Sequence, residues 1–199
     1  MKTQNLFARP QLLAALALIL ASKLYAQSYV VDAQISGQAD GGMYDYTLTL
    51  NNRSSSTTSI GTFWFAWTDY GYDLLPSSPT VTQTPAGWSA SVLGGSYDYY
   101  GYTYYDGYSI QFTSSSAYLN PGSSLTFEFT SPDSPSDISG INPYFGNEVE
   151  TSFVYSGGPF SDAGSQFLVE TVVPEPAALG LLLVAGGSLM VTRWRRNHV

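Results

Sequence analysis

Met43-Tyr44-Asp45-Tyr46-Thr47-Leu48-Thr49-Leu50 alternates Tyr44, Tyr46, Leu48 and Leu50 on one face with Asp45, Thr47 and Thr49 on the other. A period of two, with aromatic and aliphatic residues on one side only, reads as a strand that buries one face and wets the other. The turn-forming run Asn51-Asn52-Arg53-Ser54-Ser55-Ser56 follows it. Next comes Ile60-Gly61-Thr62-Phe63-Trp64-Phe65-Ala66-Trp67, apolar on both faces as an inner strand is. Further strands are expected at 29–35, 80–84, 88–93, 108–113, 125–130, 151–155 and 166–172, separated by Gly, Ser, Pro and Asn clusters. Asn120-Pro121-Gly122-Ser123 suits a tight turn feeding the strand at Leu125.

About nine short strands with no amphipathic helix of three turns between them predict an all-β body. The expected architecture is a single antiparallel β-sandwich, immunoglobulin-like or jelly-roll-like, over residues 27–173. An open two-sheet barrel fits the same pattern. No internal repeat is visible, which argues against a solenoid or a propeller.

The charges divide the 199 residues into three parts. Residues 1–26 carry three bases and no acid, residues 27–173 carry Arg53 and fourteen acids, and residues 174–199 carry Glu175 and three arginines. A body of that sign repels phosphate backbones, so no nucleic-acid partner is expected, and anionic lipid headgroups suit it poorly. There is no Cys, and the one His is His198, which removes disulfides, thiolate nucleophiles and histidine-based catalysis from the body. No G-x-S-x-G elbow, H-E-x-x-H run or phosphate loop occurs. The expectation is a protein that is not an enzyme. A polysaccharide hydrolase using two of the fourteen carboxylates is the least favoured reading, because no residue pair stands out.

Tyr97-Asp98-Tyr99-Tyr100-Gly101-Tyr102-Thr103-Tyr104-Tyr105-Asp106-Gly107-Tyr108 holds seven of the 16 tyrosines. Flat rings with a hydroxyl can stack on sugars, so Tyr99, Tyr102 and Tyr104, with Trp64 or Trp88, are candidate glycan contacts for a carbohydrate-binding module. The plainer reading of the same run is a hairpin or long loop whose tyrosines pair across strands, with Asp106-Gly107 at a turn. Trp64, opposite Phe63, Phe65 and Trp67 in the alternation, is the tryptophan expected to be most exposed, although core packing is the commoner role for Trp64, Trp67 and Trp88 alike. Asp69, Asp73, Asp98, Asp106, Asp133 and Asp137 fall in expected loops and could supply oxygens to Ca²⁺, though no EF-hand spacing is present. Solvated acids that keep an exported domain soluble are the plainer reading.

Both ends read as addresses. Lys2 and Arg9, the apolar run 12–21 and the sequence Lys23-Leu24-Tyr25-Ala26 before Gln27 have the three parts of a secretory signal peptide, with cleavage expected between Ala26 and Gln27. Signal peptidase and the secretion machinery are the implied partners. Near the other end Val173-Pro174-Glu175-Pro176 precedes an apolar run at 177–192, followed by Arg193-Trp194-Arg195-Arg196 and Asn197-His198-Val199. The two prolines block helix and strand through the junction. The sixteen residues of the apolar run would rise about 24 Å as a transmembrane helix, with Trp194 and the arginines completing the span at the interface. Arg193, Arg195 and Arg196 should stay cytoplasmic, which puts the body on the periplasmic side.

The Pro174-Glu175-Pro176 motif, the short Gly/Ala/Leu-rich helix and the terminal arginine cluster together resemble the PEP-CTERM sorting signal of Gram-negative bacteria, over the last 26 residues. The resemblance implies recognition by an exosortase, a membrane transpeptidase, and delivery to the cell surface or an exopolysaccharide matrix of the biofilm type. The same tail also goes under the name of an ice-binding-protein C-terminal domain, yet the body lacks the regular threonine array an ice face would need. The resemblance does not extend to residues 27–173, which carry no family motif.

Overall fold

The computed structural model describes residues 28–172, apart from the side chains of 97–99 and 103–105. Nine strands fill it: β1 (Val31–Asp40), β2 (Met43–Asn52), β3 (Thr62–Phe65), β4 (Thr80–Gln83), β5 (Trp88–Tyr99), β6 (Tyr102–Ser114), β7 (Ser123–Ser131), β8 (Thr151–Tyr155) and β9 (Ser165–Thr171). One four-residue helix, α1 (Pro135–Ile138), is capped by Ser134, whose Oγ accepts from the Asp137 N–H while Asp137 accepts from the Ser134 N–H. All nine expected strands are present, and the alternation in β2 has the expected sense. Tyr46, Leu48 and Leu50 are buried while Asp45 and Thr47 are exposed. All four residues of β3 are buried, as an inner strand requires.

Hydrogen bonding joins the strands in the order β4-β7-β2-β1-β9-β8-β3-β6-β5. β9 holds the two halves together. Its first part pairs antiparallel with β8, from Thr151↔Leu168 to Val154↔Ser165. Its last part pairs parallel with β1, from Ala33↔Val169 to Ile35↔Thr171. A strand that changes partners in mid-course turns one sheet into the other at the corner of a sandwich. The parallel β1–β9 pair corrects the expectation of a wholly antiparallel fold, and it arises because these two strands, more than a hundred residues apart, lie side by side in the same direction. The edge strands β4 and β5 approach each other, so the sheet is nearly closed.

The core lies between the halves. Phe127 and Phe129 of β7 meet Phe63, Phe65 and Phe112 across it, with ring centroids 4.2 Å apart for Phe112–Phe127 and 5.7 Å for Phe65–Phe129. Ile35, Leu48, Leu50, Ile110 and Val154 fill the spaces between the rings. At about 25 cal/mol per Å² of apolar surface removed from water, these side chains are the main stabilising contribution. Trp88 belongs here too, its indole N–H donating to Ala117 O at 2.7 Å and its ring edge-on to Phe127.

Two tight hairpins set the register. Gly41 and Gly42 (φ 55° and 93°) join β1 to β2, and Tyr100 and Gly101 (φ 50° and 81°) join β5 to β6. Two consecutive positive φ angles give the turn whose twist matches that of paired strands. The turn expected at Asp106-Gly107 is therefore at Tyr100-Gly101, and Asp106-Gly107 sits within β6 beside the register shift at Gly94/Ser96. Among the described residues no helix is long and apolar enough to cross a membrane. The cleavage pair Ala26 and Gln27, the motif Pro174-Glu175-Pro176, the helix at 177–192 and Arg193, Arg195 and Arg196 lie outside the described residues.

Candidate functional site

The outward face of β8, β3 and β6 carries an aromatic cluster and, next to it, an open cleft. Thr62 and Trp64 of β3 share that face with Phe153 and Tyr155 of β8, to which they are paired. Trp67 joins them because Ala66 takes a left-handed conformation (φ 57°), which breaks the alternation and turns Trp67 to the side of Trp64. The two indoles lie 4.3 Å apart. Phe160, in the 156–164 loop, rests on Trp64, Trp67 and Tyr155 and is itself 64% exposed. The loop is tied down by the Thr62 hydroxyl, which donates to Gly157 O at 2.6 Å. Asp162 holds its base, accepting from the Tyr29 hydroxyl and from the N–H groups of Ser156 and Gly164.

This arrangement corrects the expectation for Trp64. It is 6% exposed, and its indole N–H is buried with no acceptor among the described residues. Trp88 is equally buried. Neither presents an open face as it stands.

The tyrosine run forms the far end of the β5–β6 hairpin, with Tyr99 opposite Tyr102 and Tyr97 opposite Tyr104 in register. β3 pairs with β6 only from Ile110 to Thr113, so, among the described residues, 96–105 form a two-stranded arm with no third strand. Tyr102 is 70% exposed on it. The side chains of Asp98, Tyr99 and Tyr104 lie outside the described residues.

Of the six aspartates, Asp98 has its side chain outside the described residues, and the other five do not converge on one point. Among the described residues no group of three or more acidic, His or Cys side chains is placed to hold a metal ion. Asp133 is buried, taking hydrogen bonds from the Ser77 N–H and the Ser131 hydroxyl, and Asp137 caps α1. Asp69 stands exposed. Asp73 and Asp106 do meet: the Asp73 N–H donates to Asp106 Oδ1. Burial, with the Asp106 charge adding to it, pushes the Asp73 carboxyl up to about 6, and burial raises Asp106 as well. Such a pair can hold a proton near neutrality, but Asp73 is 8% exposed and packed against the β5–β6 bulge. A Cβ on Gly94 would fall 2.9 Å from its Oδ2.

A feature that sequence reasoning missed is the cleft of about 660 Å³ where Ser89, Gln111, Thr113, Ser115 and Tyr118 face Gly158 and Pro159 of the 156–164 loop. Tyr118 lies against the backbone at Gly61, where a Cβ would come within 2.5 Å of its Cε1. Glycine at 61 is what lets the ring lie flat there. No local pattern marks Tyr118, which follows the Ser114-Ser115-Ser116 run.

No family model matches this chain, and no curated protein matches it. Among solved structures it resembles the GH20 exo-β-N-acetylglucosaminidase of Vibrio harveyi, with a TM-score of 0.35 and 12% identity, over 72% of this chain and 18% of that one. It also resembles the CBM3b module of the scaffoldin subunit ScaA of Acetivibrio cellulolyticus, with a TM-score of 0.35 and 11% identity, over 72% of this chain and 97% of that one. A biomass-sensing module of the Rsgi2 protein of Clostridium thermocellum matches with a TM-score of 0.34 and 12% identity, over 71% and 88% of the two chains. Likenesses of this size assign neither a family nor a ligand.

Proposed function

We propose that this chain is an exported surface or extracellular-matrix protein of a Gram-negative bacterium, sorted through its C-terminal tail and acting without catalysis. The signal peptide takes the body across the inner membrane. An exosortase-type transpeptidase then grips Pro174-Glu175-Pro176, while Arg193, Arg195 and Arg196 hold the helix with its basic end inside. The observation that carries this reading is the order of three sequence elements, motif, short apolar run and arginine cluster, after the last described strand. Among the described residues the last bond of the ladder runs from the Val172 N–H to Ile35 O at 2.7 Å, and Pro174 has no N–H to donate. A Glu175→Ala variant should accumulate unprocessed in the membrane, and normal processing and release of that variant would contradict the reading.

A second reading, glycan contact through the tyrosine hairpin, is favoured by the two-stranded arm on which Tyr102 is exposed. Polysaccharide binding that survives the combined Tyr99→Ala, Tyr102→Ala and Tyr104→Ala changes would remove it.

A further inference from the structure

The body carries fourteen acids and one arginine, yet the cleft beside the aromatic cluster is lined by no charged side chain. Its polar groups are hydroxyls and an amide. The Ser89 and Thr113 hydroxyls lie 3.2 Å apart, while the Gln111 amide and the Tyr118 hydroxyl make no hydrogen bond among the described residues. Tyr118 adds an aromatic surface that is 43% exposed and backed by Gly61. One strand across, Trp64 pairs in register with Gln111, and its buried indole N–H has no acceptor among the described residues. Phe160, which covers Trp64, directly follows Pro159 in the cleft wall.

These groups discriminate among ligands. An anion would find no counter-charge in the cleft and would be repelled by the acidic body, and a cation would find no carboxylate in the cleft lining to pair with. A lipid tail or an apolar helix would leave the hydroxyls and the amide desolvated without partners. A neutral sugar chain meets both requirements: its C–H faces stack on a ring, and its hydroxyls both donate to and accept from amides and hydroxyls.

We propose that this cleft binds a neutral polysaccharide, with a sugar ring stacked on Tyr118 and sugar hydroxyls hydrogen-bonded by Gln111. It goes beyond the sorting reading by stating what the body holds, and it names residues separate from the tyrosine hairpin.

The test is affinity electrophoresis of the full-length protein through gels containing hydroxyethylcellulose, galactomannan or dextran, with alginate as the anionic comparison. Retardation by at least one neutral polymer and none by alginate is expected. Tyr118→Ala should weaken that retardation by about tenfold or more, which corresponds to about 1.4 kcal/mol. Gln111→Ala, a change at a half-buried outward-facing position, should weaken it about threefold, and Tyr144→Ala, at an exposed ring outside the cleft lining, should leave it unchanged. Should Tyr118→Ala fail to fold, as judged by its unfolding curve, Gln111→Ala decides the matter. Retardation by alginate alone, by no polymer, or equally for wild type and folded cleft variants would overturn the proposal. Binding together with an unprocessed tail would retain this site and remove the sorting reading.

Discussion

The backbone N–H of Asp73 donates to Oδ1 of Asp106 across 3.3 Å, joining a loop and a strand that are 33 residues apart. The two carboxyls are thereby held in a poorly solvated place. An unfolded aspartate titrates near 3.8, and Asp73 in the fold near 6, so between those values the folded state binds the extra proton. Stability therefore falls as pH rises through that window, by up to roughly 3 kcal/mol, and Asp106 acts in the same sense. Asp137, held low by its hydrogen bonds with Ser134, acts oppositely, its contribution being lost as pH falls through its lowered pKa. Asp162 behaves like Asp137, because the bonds from Ser156 and Tyr29 outweigh its burial. Asp73→Asn should be more stable than wild type at pH 7 by about 1–3 kcal/mol and should flatten the slope between pH 4 and 6. Urea midpoints at pH 4, 5, 6 and 7 check this, and an unchanged slope in the variant would count against it.

The bulge beside that pair depends on two glycines with no room for a side chain. A Cβ on Gly107 would meet Leu75 O at 2.8 Å and Asp73 O closer still, and one on Gly94 would run into Gly107 O while φ is 99°. Gly101, also at positive φ, has open space around it. Gly94→Ala is expected to cost about 3 kcal/mol or more, whereas Gly101→Ala should cost only the conformational strain of about 1 kcal/mol. Equal losses in thermal unfolding would refute the distinction.

Ala66 combines a fully buried side chain with φ 57°. Relief of strain and loss of a buried methyl oppose each other in Ala66→Gly, which should stay within about 1 kcal/mol of wild type. Ala66→Val adds a β-branched side chain to a left-handed residue in a packed core and should lose about 3 kcal/mol or more. Denaturant midpoints of the two variants give the comparison.

Phe160 covers Trp64 and Trp67 from an exposed position. Truncating it removes little core, so Phe160→Ala should change stability by about 1 kcal/mol or less while wetting the two indoles. A red shift of tryptophan emission with a nearly unchanged melting point is the expected result. An unshifted spectrum would show that the ring does not shield the pair.

The strands were legible where a buried face announces itself locally, through alternation as from Tyr44 to Leu50 in β2 or through a continuous apolar run as in β3. What was not legible depends on contacts remote in sequence or on backbone angles. The parallel partnership of β1 with β9 has no local signature. The exposure expected for Trp64 failed because strict alternation puts Trp67 on the opposite face, and one left-handed residue at Ala66 brings both indoles together. The turn expected at Asp106-Gly107 lost to Tyr100-Gly101, where a non-glycine residue takes positive φ at the tip of a longer hairpin. Among the expected loop acids, only the fold could show that Asp73 meets Asp106 while Asp133 and Asp137 serve the hydrogen bonding around α1.

The central claim, that the tail is a sorting signal read by a transpeptidase, is tested most directly by the intact mass of the product made from the full precursor in two hosts, one with the matching transpeptidase and one without. The account predicts a C-terminus near Pro174 to Pro176 in the first host only. An unchanged C-terminus at Val199 in both would mean a plain single-span anchor and would contradict it.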